Sequence, residues 1–152
     1  MSRYDIVVRN GRVMLPGLDQ PAEVAVGIRD GRIAAIADEI SSAEADDAID
    51  ARGRIVFPGG VDCHFHLGIY RPIELDAASE TESSLVGGAT SVISYFRTGS
   101  HYLNKTGPYR EILPEVLDRT RGRAHCDYGF HIAPMTTAQL DEIDWMVSEA
   151  GI

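Results

Sequence analysis

At Pro58-Gly59-Gly60 the chain changes its periodicity, and this change constrains its architecture more than any other feature. Before that point the apolar runs are short, read as strands and are separated by turn dipeptides such as Asn-Gly and Asp-Gly. After it, strand-like runs alternate with helix-like ones. The two regimes predict a small β-module over residues 1–57, followed over residues 58–152 by strand–helix units of the kind that build a parallel sheet or a (β/α)8 barrel.

Within the first regime, runs at residues 4–8 and 12–15 flank Asn10-Gly11, and runs at 23–28 and 32–36 flank Asp30-Gly31. Both central residues of a type I′ turn take positive φ, so each dipeptide predicts a hairpin. Residues 41–47 are polar and read as a loop, and short strands at 48–50 and 54–57 flank Arg52-Gly53. In the second regime residues 61–67, 90–96 and 127–133 read as strands, and residues 76–85, 109–117 and 136–150 as helices. Gly87-Gly88 closes the first helix, and Pro114 blurs the start of the second. The third has Thr136 or Thr137 as its N-cap, with Leu140, Ile143 and Val147 along one face. Three units do not close a barrel, which needs eight strands and about 250 residues. The expectation is therefore an N-terminal segment of a longer polypeptide.

Composition removes several function classes. With 23 Asp and Glu against 14 Lys and Arg, the net charge is −9, which disfavours a nucleic-acid or anionic-membrane partner. The densest basic cluster, residues 119–123, falls where a helix should end and suits a helix C-terminus. Two cysteines, Cys63 and Cys126, are too few for a disulfide framework, and their apolar neighbours predict buried reduced thiols. With no signal-peptide core near the start and no apolar run of about 18 residues, a cytoplasmic protein is the simplest expectation.

One segment carries a metal-site pattern: Val56-Phe57-Pro58-Gly59-Gly60-Val61-Asp62-Cys63-His64-Phe65-His66-Leu67. Along a strand, residues i and i+2 face the same side, with Cα atoms about 6.5–7 Å apart. Two imidazoles so placed can converge on one divalent ion at roughly 2.0–2.1 Å. His64 and His66 are thus the candidate metal ligands. Asp62 shares their parity and is placed to accept an imidazole N–H, which would fix its tautomer. At the C-terminal end of a first barrel strand, both histidines would open onto the active-site mouth.

Strand pairs, an apolar run, Pro-Gly-Gly and Asp-x-His-x-His-Leu together resemble the amidohydrolase superfamily. Within it the chain is most similar to cyclic-amide hydrolases of the dihydropyrimidinase/hydantoinase group, with allantoinase and dihydroorotase as relatives. Val86-Gly87-Gly88-Ala89-Thr90-Ser91 and Asp127-Tyr128-Gly129-Phe130-His131 are weaker matches. The resemblance implies a (β/α)8 TIM barrel beside a small β-sandwich built from both chain ends. It also implies two divalent ions, usually Zn2+, bridged by a carboxylated lysine, with His64 and His66 on the more buried ion. The lysine, two further histidines and the catalytic Asp would lie beyond Ile152. Lys105, the sole lysine, sits in a predicted loop and does not suit the bridging role. The implied reaction opens a small-molecule cyclic amide at its C–N bond with a hydroxide held between the ions, in a protein that is commonly a tetramer. Loops after the early strands shape substrate choice in the group, which makes Ile69 to Pro72 and Phe96 to Tyr102 candidates by position, with Ile69, Tyr70, Arg71 and Phe96 foremost. His131 lies where the group places no ligand and is expected to play a supporting role.

Dihydroorotases carry an arginine two residues after the second histidine, where this chain has Gly68; its nearest arginine, Arg71, lies five residues beyond His66. Hydantoinases often carry Asp at that same position, so neither group matches there. Two other classes compete. Non-enzymatic scaffold homologues of dihydropyrimidinase lose metal ligands, whereas both His64 and His66 are present. Cupins also use a His-x-His pair, but need a glutamate four or five residues later; here Glu74 is eight residues beyond His66.

Overall fold

The computed structural model describes residues 2–152 and divides into two compact units, one ending at Pro58 and one spanning Gly59–Ile152. Among the described residues no helix is long and apolar enough to cross a membrane.

The first unit is a five-stranded mixed sheet. β1 (Tyr4–Val13) pairs antiparallel with β2 (Ala22–Arg29), which pairs antiparallel with β3 (Arg32–Ala37). On its other side β1 pairs in parallel with β4 (Ala45–Asp50) and then with β5 (Ile55–Val56). Tyr4, Val7, Ala25 and Ile40 form its buried cluster. Asp30 and Gly31 sit at φ 51° and 69° as the two-residue β2–β3 turn, as the dipeptide predicts.

Asn10-Gly11 does not make a turn. It lies inside β1, where the register against β2 slips between Val8 and Gly11 and Asn10 takes φ 55°. The reason lies on the opposite edge of β1. There β4 ends and β5 begins, and the Arg52-Gly53 turn between them sends the Gly53 N–H to the Asn10 carbonyl at 2.7 Å. A side chain on Gly11 would lie 2.8 Å from Val56 and 3.2 Å from Ala51. Asn-Gly thus provides a bulge and a close approach here, and the hairpin partner of β1 is β2 instead. The polar stretch 41–47 is also more ordered than a loop. Ser41 and Glu44 form a capping box around one 3-10 turn, and β4 starts at Ala45.

The second unit is a three-stranded parallel sheet ordered β6 (Gly60–His66), β7 (Ala89–Arg97), β8 (Asp127–Ala133). Between these strands run α1 (Ile73–Val86) and α2 (Tyr109–Thr120). Parallel neighbours need such crossovers, and they place the helices against the sheet. The core gathers Leu67, Ile73, Ala77, Phe96, Tyr109, Leu113, Val116, Phe130 and Met146. α1 begins three residues before the predicted start. α2 continues through Pro114, whose ring costs one backbone bond while Ile112, Leu113 and Val116 remain buried.

The predicted third helix is two pieces, α3 (Thr137–Leu140) and α4 (Ile143–Ser148), with Thr136 capping the first through the Gln139 N–H. Its expected inner face is turned outward: Leu140, Ile143 and Val147 are 52%, 42% and 65% exposed. Gln139, Glu142 and Met146 are buried in their place. Gln139 donates to Thr98 Oγ1 at 3.0 Å and to the Gly107 carbonyl at 2.7 Å, and accepts from the Met135 N–H. Glu142 accepts from the Tyr109 and Arg110 N–H groups at 2.7 and 3.0 Å. Buried hydrogen bonds of this kind leave unmet groups if the segment rotates, so they choose the face over the apolar positions.

Candidate metal centre at the end of the first parallel strand

β6, β7 and β8 run in parallel, so His66, Arg97 and Ala133 end them at the same end of the sheet, and the loops after them start there. The cross-strand register places His66 beside Tyr95 and Tyr95 beside His131. The His64 and His66 rings lie with centroids 5.4 Å apart at an interplanar angle of 75°. Two imidazoles sharing one ion at roughly 2.0–2.1 Å can have centroids up to about 6.4 Å apart, and the separation of this pair lies within that limit. Both side chains are exposed and therefore open to further ligands. Among the described residues no group of three or more His, Cys, Asp or Glu side chains is placed to hold a metal. The donor set here is two imidazoles, which suits zinc but leaves its coordination incomplete.

β6 is not regular. Between Asp62 and Phe65 it carries one more residue than β7, so Cys63 and His64 lie in a bulge. Asp62 closes that bulge: its Oδ1 accepts from the main-chain N–H of His64 at 3.0 Å. The carboxylate thus holds the backbone of His64 where strand parity predicted a bond to its ring, because the bulge breaks the alternation between the two residues. His131 acts from the far strand. Its Nε2 lies 3.2 Å from the Cys63 carbonyl, which can only accept, so Nε2 is the protonated nitrogen in that contact. Cys63, expected to be buried, is an exposed free thiol, and Cys126 is a half-buried one. Burial pushes the Cys126 thiol up from its ordinary range, with Asp127 adding to the effect.

The loop after β6 is fastened at several points. Ser94 Oγ accepts from the Leu67 N–H at 3.0 Å, and the Gly68 carbonyl accepts from the Tyr102 N–H at 2.7 Å. Asp76, in the first turn of α1, accepts from the Gly68 N–H at 2.8 Å and from Arg71 Nε at 2.9 Å. Arg71 also reaches Glu80 at 3.1 Å and Ser79. Across from this loop, His101, Tyr102 and Asn104 all take positive φ, an unusual concentration of left-handed non-glycine residues. The two loops and Arg119 enclose a polar cleft of about 350 Å3. Tyr102 stacks edge-on with Tyr95 and Phe96, and burial pushes its phenol up, with Tyr95 acting in the same sense.

Of the positional candidates, Ile69 is half-buried, Tyr70 is 93% exposed and Arg71 is tied down as above; all three line the cleft. Phe96 does not. It is 1% exposed and packs against Tyr102, Tyr109 and Phe130, because its position in β7 points to the helices. Asp76 and Tyr95 are not among the sequence-based candidates, whereas Tyr102 closes the second candidate stretch, Phe96 to Tyr102. A carboxylate in a first helical turn is common, and nothing local separates this one from an ordinary dipole partner.

No family model matches the chain. It is 32% identical over 151 residues to the D-hydantoinase of Geobacillus stearothermophilus, covering 96% of this chain and 30% of that protein. It is 40% identical over 156 residues to an allantoinase of Desulfitobacterium hafniense strain Y51, covering 100% and 32%. Among solved structures, a D-hydantoinase matches with TM-score 0.76 and 31% identity over 94% of this chain and 30% of that one. The dihydropyrimidinase of Brevibacillus agri matches with TM-score 0.77 and 26% identity, over 96% and 31%. The chain spans about 30% of the length of these relatives. It resembles an N-terminal segment of the hydantoinase/dihydropyrimidinase group, in sequence and in its mixed α/β architecture.

Proposed function

We propose that this chain supplies the metal-binding opening strand and the first substrate loops of a hydrolase that opens cyclic amides at a C–N bond. The paired imidazoles of His64 and His66 carry this reading, since they stand on the first strand of a parallel sheet in a chain similar along its length to hydantoinases. Residues 58–152 would be the first three units of a (β/α)8 barrel, and residues 1–57 would supply strands of a β-sandwich that further polypeptide completes. The remaining ligands, the carboxylated lysine and the catalytic carboxylate would also come from polypeptide outside residues 1–152.

His64 and His66 would each hold the ion through one ring nitrogen. A divalent ion bound there supplies Lewis acidity to a carbonyl oxygen and an acidified water. The chain's own contribution is positional. Asp62 and His131 grip the one Cys63–His64 peptide group in the bulge, Asp62 at its N–H and His131 at its carbonyl, and so fix the backbone from which the His64 ring is presented. Ile69, Tyr70 and the 101–104 stretch would form one wall of the substrate cleft. An allantoin-type ring is the second reading, favoured by the 40% identity to the allantoinase.

The test uses the polypeptide at the relatives' full length, purified with its metal content measured. Ring opening is then followed on hydantoins, dihydropyrimidines and allantoin. Stoichiometric zinc with turnover of at least one ring is the expected result. Full metal loading with no ring opened would remove the cyclic-amide assignment.

A further inference from the structure

We propose that Asp76 is the positioning residue for the loop that leaves the metal-binding strand, a role resting on the hydrolase reading above. Asp76 is only 6% exposed, yet it belongs to the first turn of α1, where an acidic side chain ordinarily faces water or the helix's own free N–H groups. Both of its oxygens are spent outside the helix. Oδ2 takes the Gly68 N–H, two residues after His66, and Oδ1 takes Arg71 Nε. One carboxylate therefore fixes where the chain goes after the second candidate ligand and where the loop's single cation points.

Two further features depend on that clamp. Gly68 sits at φ 82°, and a Cβ there would lie 3.0 Å from the Ile73 Cβ, so the loop folds directly onto the start of α1. The Gly68 carbonyl, turned outward by the same geometry, receives the Tyr102 N–H and joins this loop to the one after β7. Arg71, drawn back by Asp76 and Glu80, is held along α1. Of the two residues between the clamp points, Ile69 is half-buried and Tyr70 is left exposed at the cleft. Asp76 does not touch the ligand pair and is not itself in the cleft lining; it acts through Gly68 and Arg71, which are.

Two measurements on the full-length, metal-loaded protein test this. The first compares Asp76→Ala and Arg71→Ala with the parent for kcat, KM and metal content. The expected result is a KM at least tenfold higher for Asp76→Ala, with kcat within about threefold and metal stoichiometry unchanged. Arg71→Ala should reproduce part of the KM rise and add little in the double variant, because both act on one loop. Loss of metal from Asp76→Ala, or equal falls in kcat and kcat/KM, would overturn the proposal in favour of a role at the ligands or in the fold. The second is amide hydrogen exchange, which needs no substrate. Asp76→Asn should speed exchange at Gly68 and the Tyr102 amide at least tenfold while leaving Val92 and Ile93 in β7 unchanged. Unchanged exchange at Gly68 would refute the clamp even if the parent proves active. A parent that opens no ring but shows the exchange pattern would sink the hydrolase reading alone.

Discussion

Gly68 is where a single side chain would cost most near the candidate site. Its φ of 82° is unfavourable for any residue with a Cβ, and that atom would press on Ile73, which is fully buried. Gly68→Ala should therefore destabilise the protein by about 1–3 kcal/mol, read as a shift in the denaturant midpoint at constant slope. An unchanged midpoint would mean that the loop relaxes freely. The histidines behave differently. His64 and His66 are exposed and contribute little packing, so His64→Ala and His66→Ala in the full-length protein should leave the melting midpoint of the metal-free form nearly unchanged. Each should still lower the bound metal by about one ion per chain in elemental analysis. Retention of full metal by either variant would exclude that residue as a ligand. The pair was legible in the sequence because i, i+2 spacing is a property of any strand. Asp76 was not, since a contact over eight residues through a loop exists only once the loop has its path.

Elements were legible where one local signal decided them. The Asp30-Gly31 turn follows from backbone chirality, and the three strands β6, β7 and β8 from short apolar runs between helix-like segments, β-branched mainly in β7. Asn10-Gly11 and the last helix failed because a distant partner overruled the local signal: the Arg52-Gly53 turn in one case, and the buried anchors Gln139 and Glu142 in the other. That second case is testable. α2 starts at Pro108 with no side-chain cap of its own, and Glu142 fills the place from α4's edge by taking the Tyr109 and Arg110 N–H groups. Glu142→Ala should cost about 1–3 kcal/mol in chemical denaturation, more than an ordinary surface substitution. A second consequence is acid sensitivity. Lys105 and Arg119 beside Glu115 hold its carboxyl below the ordinary glutamate range, and Glu74 is lowered too, first by a backbone N–H and then by Arg119. A depressed folded-state value means the stabilisation is complete above the ordinary glutamate range. It is lost as the pH falls through the lowered values. Melting temperature should thus drop on acidification through that window, and the Glu115→Gln variant should show a shallower drop. An identical slope would assign the acid sensitivity elsewhere.

At the scale of the whole molecule, the sheet of residues 59–152 has β6 and β8 as its outer strands, and backbone groups on such edges seek partners. Val61, at 64% exposed, lies on one of these edges, and the outward face of the last helices presents Leu140, Ile143 and Val147 to solvent. Residues 2–58 present a further exposed apolar set, Ile33, Ile36, Ile49, Ile55 and Phe57. Scattered apolar residues are normal on a soluble protein, but rows of them on sheet and helix faces beside open edges mark surfaces that expect cover. The charge of −9 opposes association only weakly at physiological salt, where screening acts over about 8 Å. The 152-residue chain by itself should therefore self-associate at micromolar concentration and open no cyclic amide, while the full-length polypeptide stays dispersed. Light scattering coupled to size-exclusion chromatography distinguishes the two. A stable 16.6 kDa monomer that binds no hydrophobic dye would show that these faces need no partner. Zinc-dependent ring opening by that monomer would further mean that two imidazoles suffice for the site, contrary to the coordination that such chemistry requires.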